Sequence, residues 1–408
     1  MKKQGISLIV LVITIIVMII LAAAIIISLN NTGIISNSNK AVEETNDKTV
    51  VELANLAWGE AYANGERNVT KLKDAVETAL TNNNLDKDDY GINVTDKGVD
   101  LVKGWLQTSD KKVVKGSQVL EIGDTVDYDE TKGGEVKVAK DVEWAVLGAE
   151  NGSLLIVSNA NVEEDAKKID LNLVATLETR KAAYQNAIDT LNNICKPYGF
   201  GNYAVSARSL KAEDIDKITG FNKYESELGS LKYGESITYY WDTDSSKYGE
   251  SNNYKYSYPY YETEIGLTGN DIGAVEFVWY DGDTFKTSVS PMTPPSEKTK
   301  ICTLTQTNYT YKMKDVLDET GKIYKLLCSS SYFLANKGVN GLDTACFGLL
   351  GVGINNSNYI LGYTPIVFCN TLYKENKGKG VHGVRAVVTL RDDVKLQNIS
   401  SGNWKLTY

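Results

Sequence analysis

The first stretch of the chain is apolar without interruption. No charged residue occurs between Ile6 and Leu29, and Lys2 and Lys3 stand directly before this stretch. An α-helix of that length would extend about 36 Å, which exceeds the roughly 30 Å thickness of a bilayer core. The pattern therefore predicts a membrane-spanning helix over residues 6–29. The preceding lysines keep its N-terminus in the cytoplasm and send the remaining chain outside.

Helical spacing returns further along the chain. Val50 and Ala54 belong to one apolar stripe, and residues 70–80 carry a second, shorter stripe. From residue 90 to residue 114, short alternating runs predict two or three antiparallel strands. We expect these helices and strands to form a stalk with a small sheet over residues 30–116.

The remaining residues, 117–408, are expected to form a larger domain that starts with a hairpin and two helices. Asn151-Gly152 stands between two apolar runs and is the strongest hairpin signal in the chain. Residues 184–194 and 212–219 have helical spacing, and Gly220 occupies the position at which the second helix should end. The later strands are expected at residues 309–311, 325–327, 332–335, 346–349 and 384–390.

A Tyr-rich insertion, residues 224–261, interrupts this larger domain. Its Tyr254, Tyr256, Tyr258 and Tyr260 alternate, so that a single strand would place the four rings on one face. Two interpretations remain open, namely a partly ordered insertion and a face that contacts a ligand.

Composition narrows the range of partners. A net charge of −9 disfavours nucleic acid, because a protein that binds phosphates needs a basic face. The chain has 25 tyrosines against 7 phenylalanines, so its aromatic rings carry polar groups that suit hydrated binding surfaces. Its five cysteines include no C-x-x-C pair, which argues against a zinc site or a dithiol redox motif.

Catalytic and metal-binding patterns are weak. His382 is the single histidine, and its place between glycines before a strand is typical of a loop residue. The sequence starting at Asp242 and the one starting at Asp86 begin like calcium loops. Both lack the glutamate that an EF-hand has at its twelfth position. We therefore expect no catalytic residue, no metal and no cofactor.

The beginning of the chain, Lys2-Lys3-Gln4-Gly5-Ile6-Ser7, resembles the leader of type IV pilins and pseudopilins. The resemblance implies that a prepilin peptidase cuts after Gly5 and that Ile6 becomes the methylated N-terminus. It also implies other pilin subunits as partners. Val10 stands where most pilins have a glutamate, which favours a low-copy or tip position. A plain signal anchor and a cleaved secretory signal remain alternatives for this segment.

The larger domain carries a second resemblance. Four sequence blocks, at residues 207–215, 332–336, 347–349 and 383–388, resemble an uncharacterised bacterial surface domain. That domain is similar to C-type-lectin-like folds, which include the formylglycine-generating-enzyme type and ligand-binding domains diversified by retroelements. The resemblance implies a structural role for Arg385, which would pair with a carboxylate or with carbonyls in the core.

The same resemblance implies an exposed ligand-binding patch within residues 350–373. Tyrosine supplies rigid contact area and asparagine supplies adaptable hydrogen bonds, as in antibody paratopes, and this stretch contains both. An ordinary polar loop remains the alternative. The patch residues are Asn355, Asn356, Asn358, Tyr359, Tyr363, Phe368, Asn370 and Tyr373.

Together these patterns predict an α+β chain with a leader (1–5), a long apolar helix (6–29), a pilin-like stalk with a small antiparallel sheet (30–116) and a C-type-lectin-like domain (117–408). The corresponding function is that of a minor pilin or pilin-like surface protein. It would reside in the cytoplasmic membrane before assembly and bind an extracellular protein or glycan afterwards. A structural subunit of a secretion or DNA-uptake machine and a simple membrane-anchored surface protein are the alternatives.

Overall fold

The structure of the chain is a computed structural model. It describes residues 34–407, with gaps at 103, 117, 129–141, 165–168, 170–176, 229–230, 252–253, 258–259, 264–275, 282–283, 290, 292, 341–345, 356–357 and 365–381.

The long helix of the described chain is not apolar. The helix expected over residues 6–29 lies outside the described residues, which begin with α1 (Ile34–Ala63). Charged residues such as Lys40 and Glu43 occur along α1, and no described helix is long and apolar enough to cross a membrane. The fold class predicted from the sequence, an α+β chain led by a long apolar helix, is therefore wrong. The described chain is mixed α and β, with more strand than helix.

The described residues divide into two compact units. The first unit comprises residues up to 103 together with Val114–Val119, and the second comprises Gly104–Val113 and Leu120–Tyr408.

In the first unit, two helices pack on a hairpin. Helix α2 (Val69–Asn82) follows α1, and β1 (Ile92–Thr95) pairs antiparallel with β2 (Gly98–Leu101). The side chain of Asn68 caps α2 by accepting from the backbone N–H groups of Thr70 and Lys71. The core of this unit consists of Val50, Ala54, Val76, Leu80 and Val99.

One asparagine joins α1 to this hairpin. The Asn55 amide donates to the carbonyl of Val99 at 3.1 Å, and its oxygen accepts from the Val99 N–H at 3.2 Å. On the same helix, Trp58 donates to the carbonyl of Thr95 at 2.9 Å. The predicted apolar stripe of α1 is thus confirmed as the face that packs on the hairpin.

The second unit is built around a seven-stranded sheet. Parallel pairing joins β26 to β6, and the other neighbours are antiparallel. In order across the sheet the strands are β25 (Lys395–Ser400), β26 (Asn403–Thr407), β6 (Thr125–Asp127), β7 (Trp144–Glu150), β8 (Ser153–Ser158), β24 (Ala386–Leu390) and β9 (Ala204–Ser209).

The centre of this sheet is buried on both faces. Val146, Ile156 and Val388 form one row across β7, β8 and β24, and all three are fully buried. In the neighbouring row, Val157 pairs with Val387, and both are also fully buried. The continuous apolar runs of these strands are explained by this two-sided burial.

A five-stranded sheet lies beside it in the same unit. Only the pair β20–β23 is parallel in this sheet. Its strands in order are β19 (Tyr311–Lys312), β22 (Asn358–Thr364), β21 (Cys346–Asn355), β20 (Tyr332–Asn340) and β23 (Gly383–Val384).

Smaller sheets and four helices complete the described chain. The helices of the second unit are α3 (Leu177–Cys195), α4 (Ala212–Thr219), α5 (Met313–Val316) and α6 (Lys322–Leu327). One three-stranded sheet has the order β15 (Tyr260–Thr263), β12 (Ser236–Trp241), β18 (Thr299–Thr305), and another has the order β3 (Leu106–Gln107), β4 (Lys112–Lys115), β5 (Gln118–Glu121). The two-stranded pairs are β10 (Glu227–Leu228) with β11 (Leu231–Lys232), β13 (Tyr248–Ser251) with β14 (Tyr254–Ser257), and β16 (Glu276–Asp281) with β17 (Thr284–Val289).

Two turn signals in the sequence are confirmed. Asn151 and Gly152 both have positive φ, at 51° and 82°, as a tight two-residue hairpin requires. Gly220 follows α4 with φ 69° and donates its N–H to the carbonyl of Asp216.

One strand prediction is wrong, and the arrangement considered for the four tyrosines is not found. Residues 325–327 belong to α6, because this short apolar run buries Leu326 and Leu327 from one side of a helix. The four alternating tyrosines do not share a strand. Tyr254 and Tyr256 belong to β14, Tyr260 belongs to β15, and Tyr258 lies outside the described residues.

A buried carboxylate joins the C-terminal hairpin to the sheet and to α6. Asp124 precedes β6 and accepts from the indole N–H of Trp404 at 2.9 Å and from the backbone N–H of Glu121 at 3.2 Å. Its other oxygen lies 2.9 Å from the ammonium group of Lys322.

Replacing Asp124 with alanine should therefore lower the free energy of unfolding by about 3 kcal/mol, because the buried indole N–H would lose its acceptor and Lys322 its buried partner. Urea denaturation measures this loss. The matched control is Asp393→Ala, which breaks an exposed pair with Arg391 and should cost less than about 1 kcal/mol. Equal losses in the two variants would contradict the structural role of Asp124.

Candidate functional site

The hairpin β21–β22 carries the described part of the predicted ligand patch. Asn355 pairs with Asn358 at its end, Ile354 with Tyr359, and Leu350 with Tyr363. The structure therefore places four of the predicted patch residues, Asn355, Asn358, Tyr359 and Tyr363, on one hairpin. The other four, Asn356, Phe368, Asn370 and Tyr373, lie outside the described residues.

The base of this hairpin belongs to the core. Leu349, Leu350 and Val352 of β21 are buried, and β21 lies between β20 and β22 in the five-stranded sheet. The hairpin is consequently a continuation of the sheet, held by strand pairing on both sides of β21.

Arg385 is fully buried and stands where the chain passes between the two large sheets. Val384 before it belongs to β23 of the five-stranded sheet, and Ala386 after it begins β24 of the seven-stranded sheet. Its Nε donates to the carbonyl of Ser158 at 2.8 Å, and its Nη2 donates to the same oxygen. Its Nη1 donates to the carbonyl of Leu326 at 2.6 Å.

The electrostatic surroundings of Arg385 are unusual for a charged group. Burial lowers the pKa of its guanidinium, and the nearby Tyr332 opposes this shift. The Tyr332 ring centroid lies 5.0 Å from the guanidinium carbon, which is within the range of a cation–π contact. The backbone carbonyl of Arg385 accepts from Leu210 N–H at 3.1 Å and from the Cys195 thiol at 3.6 Å.

The thiols of Cys195 and Cys328 are poor nucleophiles. Burial raises the pKa of Cys328 to about 12, and burial also raises the pKa of Cys195. Since the thiolate is the reactive form, both side chains are unreactive at neutral pH. Cys195 and Cys328 form no disulfide with a described cysteine, while Cys369 lies outside the described residues.

His382 is a packing residue of the five-stranded sheet. Its ring stacks on Phe333 with centroids 5.1 Å apart, and its Nδ1 has no hydrogen-bond partner among the described residues. A Cβ on Gly353 would lie 2.9 Å from the His382 Nε2, so this glycine makes room for the ring. Burial lowers the pKa of His382 and favours the neutral form. Within the described part of the chain, no carboxylate accepts from this Nδ1 as one does in a catalytic triad.

A buried acid that the sequence analysis did not identify lies on the buried face of α4. Asp216 is only 8% exposed and accepts from the hydroxyl groups of Tyr309 and Tyr311, the latter at 3.1 Å. Thr219 completes the group through a contact of 3.3 Å with the Tyr311 oxygen. Burial raises the pKa of Asp216 to about 6, although both tyrosine donors favour its ionised form.

A signal for this acid exists in the sequence. Asp216 lies among the buried residues Ala212, Ile215 and Thr219 of a short amphipathic helix, and an acid on such a face needs a polar partner. The partners follow α4 by more than ninety positions along the chain, and only the fold brings them together.

The acidic sequences considered for calcium have other roles. Asp244 accepts from Ser246 N–H at 2.9 Å and Asp86 accepts from Asp88 N–H at 3.0 Å, and each caps a short 3₁₀ turn. Among the residues that the structure describes, no group of three His, Cys, Asp or Glu side chains is placed to hold a metal ion.

Comparison of the chain with protein-family models, curated proteins and solved structures finds no match. The resemblances to pilins and to C-type-lectin-like domains therefore stay predictions from the sequence blocks quoted above.

Asp216 predicts how stability depends on pH. Because the folded-state pKa of about 6 lies above the value near 4 of an exposed aspartate, this group favours the folded state at low pH, and the contribution is lost as pH rises through about 6. Raising the pH from about 5 to about 7 should lower the free energy of unfolding by about 1 kcal/mol through Asp216 alone.

Urea denaturation of wild type and of Asp216→Asn at both pH values isolates this contribution, because asparagine keeps an acceptor for the tyrosines but does not titrate in this range. We expect a weaker pH dependence in Asp216→Asn and an unchanged one in Asn398→Ala, which alters an exposed residue of the same unit that does not titrate. An identical pH dependence in wild type and Asp216→Asn would refute the assignment.

Proposed function

We propose that the protein is a minor pilin or pilin-like surface protein whose second unit binds an extracellular ligand without making or breaking bonds. The observation that carries this proposal is the uncharged stretch from Ile6 to Leu29, which follows two lysines and Gly5. A segment of this kind would hold the chain in the cytoplasmic membrane and leave the folded units outside. Val10 supports a low-copy position in a pilus.

The second unit supports binding more than catalysis. Asn355, Asn358, Tyr359 and Tyr363 are types of residue that recognition surfaces use, and they share a hairpin whose base is buried in the core. The thiol of Cys328 is protonated at neutral pH, and no carboxylate of the residues described contacts the Nδ1 of His382.

The proposal implies four kinds of partner. The membrane holds the N-terminal segment, a prepilin peptidase processes it at Gly5, and sister pilin subunits assemble with the mature chain. An extracellular protein or glycan occupies the hairpin.

N-terminal mass spectrometry of material sheared from the cell surface tests the pilin part. We expect a mature chain that begins at N-methylated Ile6. Gly5→Val, which removes the expected cleavage position, should leave an unprocessed chain in the membrane fraction. An intact Met1 in the wild-type chain would contradict processing and favour a plain membrane anchor.

Side-chain replacement on the hairpin tests the binding part. Because β22 lies between β19 and β21, deleting the hairpin would remove part of the five-stranded sheet, and substitutions are the sharper experiment. Replacing Asn355, Asn358 and Tyr359 with alanine should reduce binding to an array of extracellular-matrix proteins and glycans about tenfold, which corresponds to about 1.4 kcal/mol.

The control for this experiment is the pair Asn64→Ala and Asn398→Ala, which alters exposed asparagines elsewhere in the chain. Surface amounts of each variant are measured with an antibody. Unchanged binding in the hairpin variant, at equal surface amount, would remove the hairpin from the binding site.

A further inference from the structure

A second candidate binding surface lies at the turn after α4, outside the hairpin. It consists of one exposed aromatic ring with a row of polar side chains beside it. We call it the Tyr224 surface, and its residues are Glu213, Lys223, Tyr224, Tyr233 and Asn336.

The polar part of this surface is fixed by mutual hydrogen bonds. One carboxylate oxygen of Glu213 accepts from the Lys223 ammonium at 3.1 Å, and the other accepts from the Asn336 amide at 2.7 Å. The Asn336 oxygen in turn accepts from the N–H of Ala212 at the start of α4, at 2.6 Å. The Glu213 side chain is nevertheless 53% exposed, and each of its carboxylate oxygens can accept a further hydrogen bond.

The aromatic part is held rigidly. Tyr224 is 68% exposed, and its ring meets Tyr233 edge-on with centroids 5.4 Å apart. Tyr233 meets the buried Tyr309 in the same way at 5.5 Å, which connects the exposed ring to the core. The Lys223 ammonium lies 5.9 Å from the Tyr224 centroid, and the Asn222 side chain accepts from the Tyr224 N–H at 3.2 Å.

This combination selects a class of ligand. The charges of Glu213 and Lys223 cancel, so the surface offers little attraction to an ion. It offers instead one accessible aromatic ring beside fixed donors and acceptors within a few ångströms of one another. A sugar ring matches this pattern, because its C–H face is apolar and its hydroxyl groups both donate and accept. Little ordering of the protein is needed on binding, since the side chains are already held in place.

We propose that the Tyr224 surface binds an uncharged carbohydrate. This inference rests on the proposed function, in which the second unit binds an extracellular ligand, and it names a class of ligand for that unit. It places this ligand at the Tyr224 surface and not at the hairpin.

Titration with neutral hexasaccharides of glucose, mannose, galactose and N-acetylglucosamine tests the proposal. The full-length chain is kept in a polyoxyethylene detergent, because detergents with sugar headgroups would compete for the surface. Isothermal titration calorimetry should show binding of at least one hexasaccharide. Tyr224→Ala should weaken this binding about tenfold or more, and Tyr224→Phe, which keeps the ring, should preserve it within about threefold.

Phe200→Ala is the matched control, because Phe200 is another exposed aromatic residue of the second unit, at 51%. Its binding should equal that of wild type, and circular dichroism should show all variants folded. Absence of binding to every hexasaccharide, or equal weakening by Tyr224→Ala and Phe200→Ala, would overturn the proposal. On the array of extracellular-matrix proteins and glycans, Tyr224→Ala could weaken binding to the proteins but not to the glycans. That result would overturn the carbohydrate assignment.

These outcomes separate the two proposals. Array binding that depends on the hairpin, without binding of any hexasaccharide, refutes the Tyr224 surface and leaves the surface-binding function intact. Hexasaccharide binding that depends on Tyr224, in a chain with an unprocessed Met1, supports the Tyr224 surface while contradicting the pilin assignment.

Discussion

A buried positive charge determines how the two large sheets of the second unit are joined. Arg385 has no exposed surface, and a guanidinium removed from water is costly unless its donors are satisfied. The carbonyls of Ser158 and Leu326 satisfy them, and Tyr332 lies against the charge. Because Arg385 is the residue between β23 and β24, these contacts fix the point at which the five-stranded and seven-stranded sheets join. The hairpin β21–β22 is paired to β20, and β20 is paired to β23, so the predicted ligand patch depends on the same junction.

Local signals in the sequence predicted local structure well. Asn151-Gly152 and Gly220 have backbone angles that few other residues adopt, so their turns could be identified from the sequence alone. The run at residues 325–327 was too short to distinguish a strand from a buried helical turn, and it proved to be part of α6. The fold class was wrong for a different reason. It gave greatest weight to residues 6–29, whereas the described chain contains more strand than helix.

In the candidate site, too, local features could be predicted from the sequence, but contacts between distant residues could not. The run of Asn and Tyr residues at 355–363 indicated one segment, and the structure places that segment on a single hairpin. The carbonyl partners of Arg385 could not be named, because Ser158 precedes it by 227 positions. Asp216 was missed because its tyrosine partners follow it by 93 and 95 positions, and Tyr224 was not singled out within the Tyr-rich insertion because exposure of one ring depends on how the surrounding turn is held. A sequence shows the type of each residue, but the fold determines which residues contact one another.

Hydrogen–deuterium exchange in an Arg385→Met variant tests most directly whether this buried guanidinium holds the two sheets together. Loss of its bonds to Ser158 and Leu326 should speed exchange at the amides of β20, β23 and β24 by about tenfold or more, which is about 1.4 kcal/mol of lost protection. Amides of α2, in the first unit, should keep their wild-type rates. Wild-type protection of β20, β23 and β24 in the variant would show that the sheets are joined without Arg385.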